Sequence, residues 1–183
     1  MEHLQLSLTV DFPHRQLRGR ASLRLRSAPG GARELHLDTR DLEIARVTLD
    51  NDPAAAPFTL GAPVELLGRE LTIPIRPPTR WVHIDYATRP EAAGLQWLTA
   101  EQAGGGQPFL YTQSQSILAR TWIPCQDTPA VRMTYEATVR VPPGLLALMS
   151  AENPTAKSAD GLYRFRMPQA IPAYLTALAV GDL

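Results

Sequence analysis

Residues 3–26 read HLQLSLTVDFPHRQLRGRASLRLR, and their alternation decides the fold. Leu4, Leu6, Leu8 and Val10 recur at every second position, which places them on one face of an extended strand. Residues 17–26 repeat the pattern, with Ala21, Leu23 and Leu25 on one face and arginines on the other. Residues 11–16 lie between the two runs and contain Pro13, so the pair predicts a hairpin.

The same period continues along the chain. Further strands are expected at 34–38, 42–49, 64–67, 70–75, 81–88, 109–114, 133–141, 145–150, 162–166 and 174–180. Turns punctuate them: Pro29-Gly30-Gly31, the Pro/Ala loop 51–57, Pro77-Pro78, Pro142-Pro143-Gly144 and the stretch 153–161. Gly104-Gly105-Gly106 marks the segment expected to move most, and a short helical turn is expected near 129–132. No amphipathic helix of three turns and no internal repeat is visible. Many short strands at this spacing predict an all-β fold, an antiparallel β-sandwich or saddle of two sheets.

With 183 residues, 44% hydrophobic and 20% charged, the chain suits a single globular domain spanning 1–183. Lysine plus arginine and aspartate plus glutamate balance at 18 each, which leaves no electrostatic footprint for nucleic acid or an anionic membrane. No apolar run reaches the ~18 residues a spanning helix needs. The opening residues alternate like a strand rather than a leader, and the expected location is the cytoplasm. Cys125 is the single cysteine, so an internal disulfide and a four-thiolate zinc site are both excluded. His3, His14, His36 and His83 form no His-x-x-x-His pair. His36 with Asp38, and His83 with Asp85, offer two ligands each, short of a zinc set. The triglycine lacks a P-loop lysine, and no Ser-His-Asp arrangement can be argued.

Residues 111–135, YTQSQSILARTWIPCQDTPAVRMTY, carry the remaining chemistry. On a strand, Tyr111, Gln113 and Gln115 share one face, with the two amides ~7 Å apart. An amide oxygen accepts from an ammonium and its NH2 serves a carbonyl, so the pair fits the amino end of a peptide. The same spacing fits a solvated polar face. Asp127, between Gln126 and Thr128-Pro129, suits a turn-fixing role, and Cys125 suits a small buried hydrophobe.

Gln113-Ser-Gln115, Ala119-Arg120 and Ile123-Pro-Cys-Gln-Asp-Thr-Pro129 resemble the signature of the zinc aminopeptidase family that includes aminopeptidase N and leukotriene A-four hydrolase. That signature has the form Q-x-[EQ]-x-x-x-A-R followed by P-C-x-D-x-P. LHLDTRDLEIARV at 35–47 looks like the family's L-D-T-x-D-L-x-I strand pair. IDYATRPEAAGLQWL at 84–98, VPPGLLALMSAENP at 141–154 and IPAYLTALAVGDL at 171–183 are similar to the hydrolase branch and to the strand closing the family's N-terminal domain.

The resemblance implies a saddle-like, all-β N-terminal domain of a larger metallopeptidase, leaning over a thermolysin-like catalytic cleft. It implies that Gln115 reaches towards the substrate's α-amine, with Gln113 and Tyr111 as neighbours, and that Arg120, Cys125 and Asp127 serve fold integrity. The implied partners are a peptide amino terminus and the protein's own catalytic domain. The Gly-x-Met-Glu-Asn segment, the His-Glu-x-x-His motif, its third glutamate ligand and the catalytic tyrosine have no counterpart here. They would lie beyond Leu183, so zinc belongs to that further domain and this chain is expected to hold none and to be inactive alone. The alternative is a non-catalytic β-sandwich for binding or scaffolding. As a carbohydrate binder it would need Trp81, Trp97 and Trp122 as an exposed platform.

Overall fold

A computed structural model describes residues 1–26 and 31–183. The start of the expected Pro29-Gly30-Gly31 turn lies outside the described residues. In chain order the strands are β1 (His3–Asp11), β2 (Gln16–Arg24), β3 (Glu34–Thr39), β4 (Leu42–Leu49), β5 (Thr59–Leu60), β6 (Arg69–Pro74), β7 (Trp81–Thr88), β8 (Leu95–Leu98), β9 (Phe109–Thr112), β10 (Arg132–Arg140), β11 (Leu146–Met149), β12 (Leu162–Pro172) and β13 (Leu178–Gly181). Among the described residues the only helical elements are short 3-10 turns, Ala119–Thr121 and Ala173–Leu175. Among the described residues no helix is long and apolar enough to cross a membrane.

The all-β fold expected from the alternation is present, but its strands lie in three hydrogen-bonded sheets rather than the two expected. The largest has the order β12-β10-β1-β2-β7-β4, the second β11-β13-β9-β8 and the smallest β3-β6-β5. The β1–β2 hairpin pairs Leu6 with Ala21 and Leu4 with Leu23, the register the two hydrophobic faces require. Pairing is antiparallel except between β1 and β10, which run parallel with Leu6 beside Ala137.

In the six-stranded sheet the inward residues Leu4, Leu6, Leu8, Leu17, Leu23, Val82, Ile84, Tyr135 and Val139 are almost fully buried. Its outward positions, Gln5, Ser7, Thr9, Arg18 and Arg20 among them, are polar. The four-stranded sheet differs. Leu110, Leu178, Val180 and Ala147 enter the core, yet its other face carries the half-buried Leu98, Phe109 and Leu148 and the exposed Tyr111. Phe109 lies flat on this face because Gly181 opposite has no side chain; a Cβ there would stand 2.3 Å from the ring.

Four sequence expectations change. Residues 64–67 form a tight turn closed by a Val64–Gly68 bridge, and β5 pairs with β6 in their place. Gly68, at φ +82°, makes the turn, because a Cβ there would meet the Thr39 carbonyl at 2.2 Å. The strand expected at 174–180 begins as a 3-10 turn and becomes extended only at Leu178. β8, which the alternation did not reveal, forms the edge of the four-stranded sheet. The 129–132 segment is a simple turn, with Val131 N–H donating to the Thr128 carbonyl at 3.2 Å. Gly104, Gly105 and Gly106 form an exposed turn, all at positive φ.

Candidate functional site

Strand β9 ends at Thr112, but its alternation continues. Tyr111, Gln113 and Gln115 are exposed, while Thr112 is half-buried and Ser114 buried. The three expected residues are therefore all exposed and the residues between them are not, although only Tyr111 lies in a strand.

Ser114 anchors the turn from the inside. Its hydroxyl donates to the Thr176 carbonyl at 2.8 Å and accepts from the indole Nε1 of Trp122 at 3.0 Å. Its carbonyl accepts the Leu118 N–H at 2.9 Å. Trp122 is fully buried, and its carbonyl accepts from the Tyr86 hydroxyl at 2.8 Å. Burial pushes the Tyr86 phenol well above its ordinary pKa, so Tyr86 acts as a neutral donor.

Gly94 closes the other side. Its N–H donates to Thr121 Oγ1 at 3.0 Å and its carbonyl accepts the Gln113 N–H at 2.9 Å. A Cβ at Gly94 would meet Thr121 Oγ1 at 2.4 Å and the Leu118 carbonyl at 2.9 Å, so the two segments pack together only with glycine there.

The two glutamines do different work. Gln113 Oε1 accepts the backbone N–H of Gln115 at 3.0 Å. The Gln115 side-chain amide has no protein partner among the described residues and points its donor and acceptor to solvent. Tyr111 is 42% exposed and contacts the Phe109 ring, with centroids 6.0 Å apart.

Beneath the turn lies a buried charged group. The Arg120 guanidinium donates from Nε to Asp127 Oδ2 at 3.2 Å, from Nη2 to the Asp127 carbonyl at 3.2 Å and from Nη1 to the Leu67 carbonyl at 3.2 Å. Nη1 also lies 3.2 Å from Asp38 Oδ1. Asp38 Oδ2 accepts the Asp127 N–H at 2.8 Å, and the Asp38 N–H donates to the Cys125 carbonyl at 2.7 Å. Burial pushes the Asp127 carboxyl up and the Arg120 hydrogen bonds pull against it. Burial also pushes the Cys125 thiol well above its usual range, which removes it as a nucleophile. Arg120, Cys125 and Asp127 tie the proline-flanked turn to β3.

Among the described residues no group of three or more His, Cys, Asp or Glu could hold a metal, so they do not fit a zinc site. His36 is engaged with Glu34 and Glu70, and His83 with Ser22 and the Asp50 carbonyl. Trp122 is buried and Trp81 and Trp97 half-buried, so the tryptophans make no open platform.

Ser114 and Gly94 were not singled out from the sequence, and Asp38 was read only as a ligand beside His36. A signal existed for Ser114, a small hydroxyl at the inward phase between two outward glutamines. For Gly94 and Asp38 the partner is remote in sequence and local pattern says nothing.

The all-β, three-sheet architecture matches the N-terminal part of solved M1 zinc metallopeptidases. The sequence pattern of the Peptidase M1 N-terminal domain matches residues 1–175, and the chain belongs to this family. It is 40% identical to leukotriene A-4 hydrolase of Xenopus laevis, with all of this chain and 32% of that protein covered. It is 39% identical to aminopeptidase B of Mus musculus, with 99% of this chain and 31% of that protein covered. The native yeast LTA4 hydrolase structure superposes on the whole chain at a TM-score of 0.89 with 32% identity, covering 28% of that chain. An M1 zinc metallopeptidase from Deinococcus radiodurans shares the fold at a TM-score of 0.76 and 23% identity, over 98% of this chain and 41% of that one. The chain thus spans about a third of the length of the curated relatives it matches.

Proposed function

We propose that this chain is the substrate-docking N-terminal domain of a zinc-dependent aminopeptidase that removes N-terminal residues from peptides, with Gln115 receiving the peptide's α-amine. The observation that supports this reading is the free Gln115 amide, carried on a turn whose interior groups are otherwise hydrogen-bonded. Its oxygen accepts from an ammonium without burying a second charge. Gln113 fixes the backbone that presents it, and Tyr111 forms a wall beside it.

In this reading zinc and the general base belong to a catalytic domain outside these residues, and the chain alone hydrolyses nothing. Zinc supplies the activated water when bound there. The half-exposed apolar face of the four-stranded sheet supports contact with that domain. A cytoplasmic setting goes with this reading, supported by the single, buried, unpaired thiol of Cys125.

In the full-length protein, Gln115→Ala lowers kcat/KM for peptides about tenfold to a hundredfold, the worth of a hydrogen bond to a charged group. Gln115→Glu retains much of the activity, since a carboxylate also accepts from the ammonium. Unchanged kinetics in a correctly folded Gln115→Ala protein would remove Gln115 from the site.

A further inference from the structure

A second concave site lies at the turn between β3 and β4, apart from Gln115. Three arginines from three places in the chain converge there on a cavity of about 340 Å³. Arg40 sits in the turn itself. Arg69 opens β6 directly across from Thr39, whose hydroxyl donates to the Arg69 carbonyl at 2.8 Å. Arg89 follows β7, and its N–H donates to the Asp41 carbonyl at 2.9 Å. The backbone under each arginine is therefore fixed to the same turn.

The lining includes these three arginines and one acidic residue, Asp41. Arg40 pairs with that carboxylate through Nε at 3.5 Å and donates from Nη1 to the Leu66 carbonyl at 3.2 Å. Arg89 Nε is also 3.5 Å from Glu43, and Arg69 has no ion pair among the described residues. A closed pair in this protein looks different: Arg20 grips Asp85 with two bonds of 2.7 and 2.9 Å. Both pairs at the cavity are longer and single-pronged, and Arg69 adds a charge without an ion pair, so three arginines there face two carboxylates, Asp41 and Glu43. Leu42, Leu60 and Pro63 give the cavity an apolar wall.

We propose that this cavity binds a phosphate dianion, as the free ion or as the head of a small phosphomonoester. Guanidinium forks match tetrahedral oxyanions, and the three arginines exceed the two neighbouring carboxylates by one positive charge. The apolar wall suits the short organic tail of an ester. The site is independent of the Gln115 reading.

The test is calorimetry and thermal unfolding of this chain with inorganic phosphate, glycerol phosphate and sodium chloride at matched ionic strength. Saturable binding of the phosphates beyond the chloride effect is expected. Tighter binding of glycerol phosphate identifies an ester ligand, and equal binding identifies the free ion. Arg69→Gln and Arg89→Gln, both exposed side chains, each weaken binding about tenfold to a hundredfold. Arg164→Gln, exposed on β12, leaves it unchanged. Stabilisation that tracks ionic strength alone, or undiminished binding by both cavity variants, would overturn the proposal.

Discussion

Gln113 and Gln115 are joined by one hydrogen bond, in which the side-chain oxygen of the first accepts the backbone N–H of the second at 3.0 Å. The bond fixes the chain where the outward alternation leaves the strand. It commits the acceptor of one glutamine to architecture and leaves the other amide unspent.

Gln113→Ala should expose the Gln115 N–H, so its amide hydrogen exchanges faster, while Gln113→Glu keeps an acceptor and the protection. The stability cost of the alanine variant is about 1 kcal/mol, the usual net worth of such a bond. Equal exchange rates in both variants would show that the bond does not hold the turn.

Arg120 is a costly residue to remove. Arg120→Ala strands Asp127, whose side chain is 1% exposed, and frees the Leu67 carbonyl. Breaking a buried pair by deleting one partner costs roughly 3–5 kcal/mol. Urea unfolding should show this loss, and Arg120→Met with Asp127→Leu should recover part of it, because no lone charge is then left inside. A surface-like cost below about 1 kcal/mol would show that water reaches the group.

Acidification should weaken the fold in two stages. Burial holds the His3 imidazole below its ordinary pKa, so the unfolded chain takes up its proton first. Stability from this source is whole above about pH 6.5 and declines as the pH falls. The Arg20 bonds hold Asp85 low, and the His14 N–H followed by its ring holds Asp11 low. Their contribution is whole above about pH 4 and is lost as the pH falls through the depressed folded values. His3→Asn should flatten the first decline and Asp85→Asn the second, measured as urea midpoint against pH.

Much of this architecture was legible because one face of each long strand is buried. Leu4, Leu6, Leu8 and Val10 could be read from period two alone, as could the outward phase of Tyr111, Gln113 and Gln115. The direction of β10 beside β1 could not be read, since alternation is the same whichever way a neighbour runs. Val64, Leu66 and Leu67 misled because they are apolar yet 48–66% exposed, on a turn that Gly68 allows. The free state of the Gln115 amide was also invisible, because it depends on Gln113 spending its oxygen on the backbone.

The parallel seam between β1 and β10 also sets a timetable for synthesis. When the β1–β2 hairpin leaves the ribosome, the second edge of β1 has no neighbour, and Leu4, Leu6 and Leu8 have only part of their cover. At about 5–20 residues per second, β10 arrives on the order of ten seconds later. Until then the first strand of the chain is an open template, and the nascent hairpin is the form of this protein most exposed to mispairing with its neighbours.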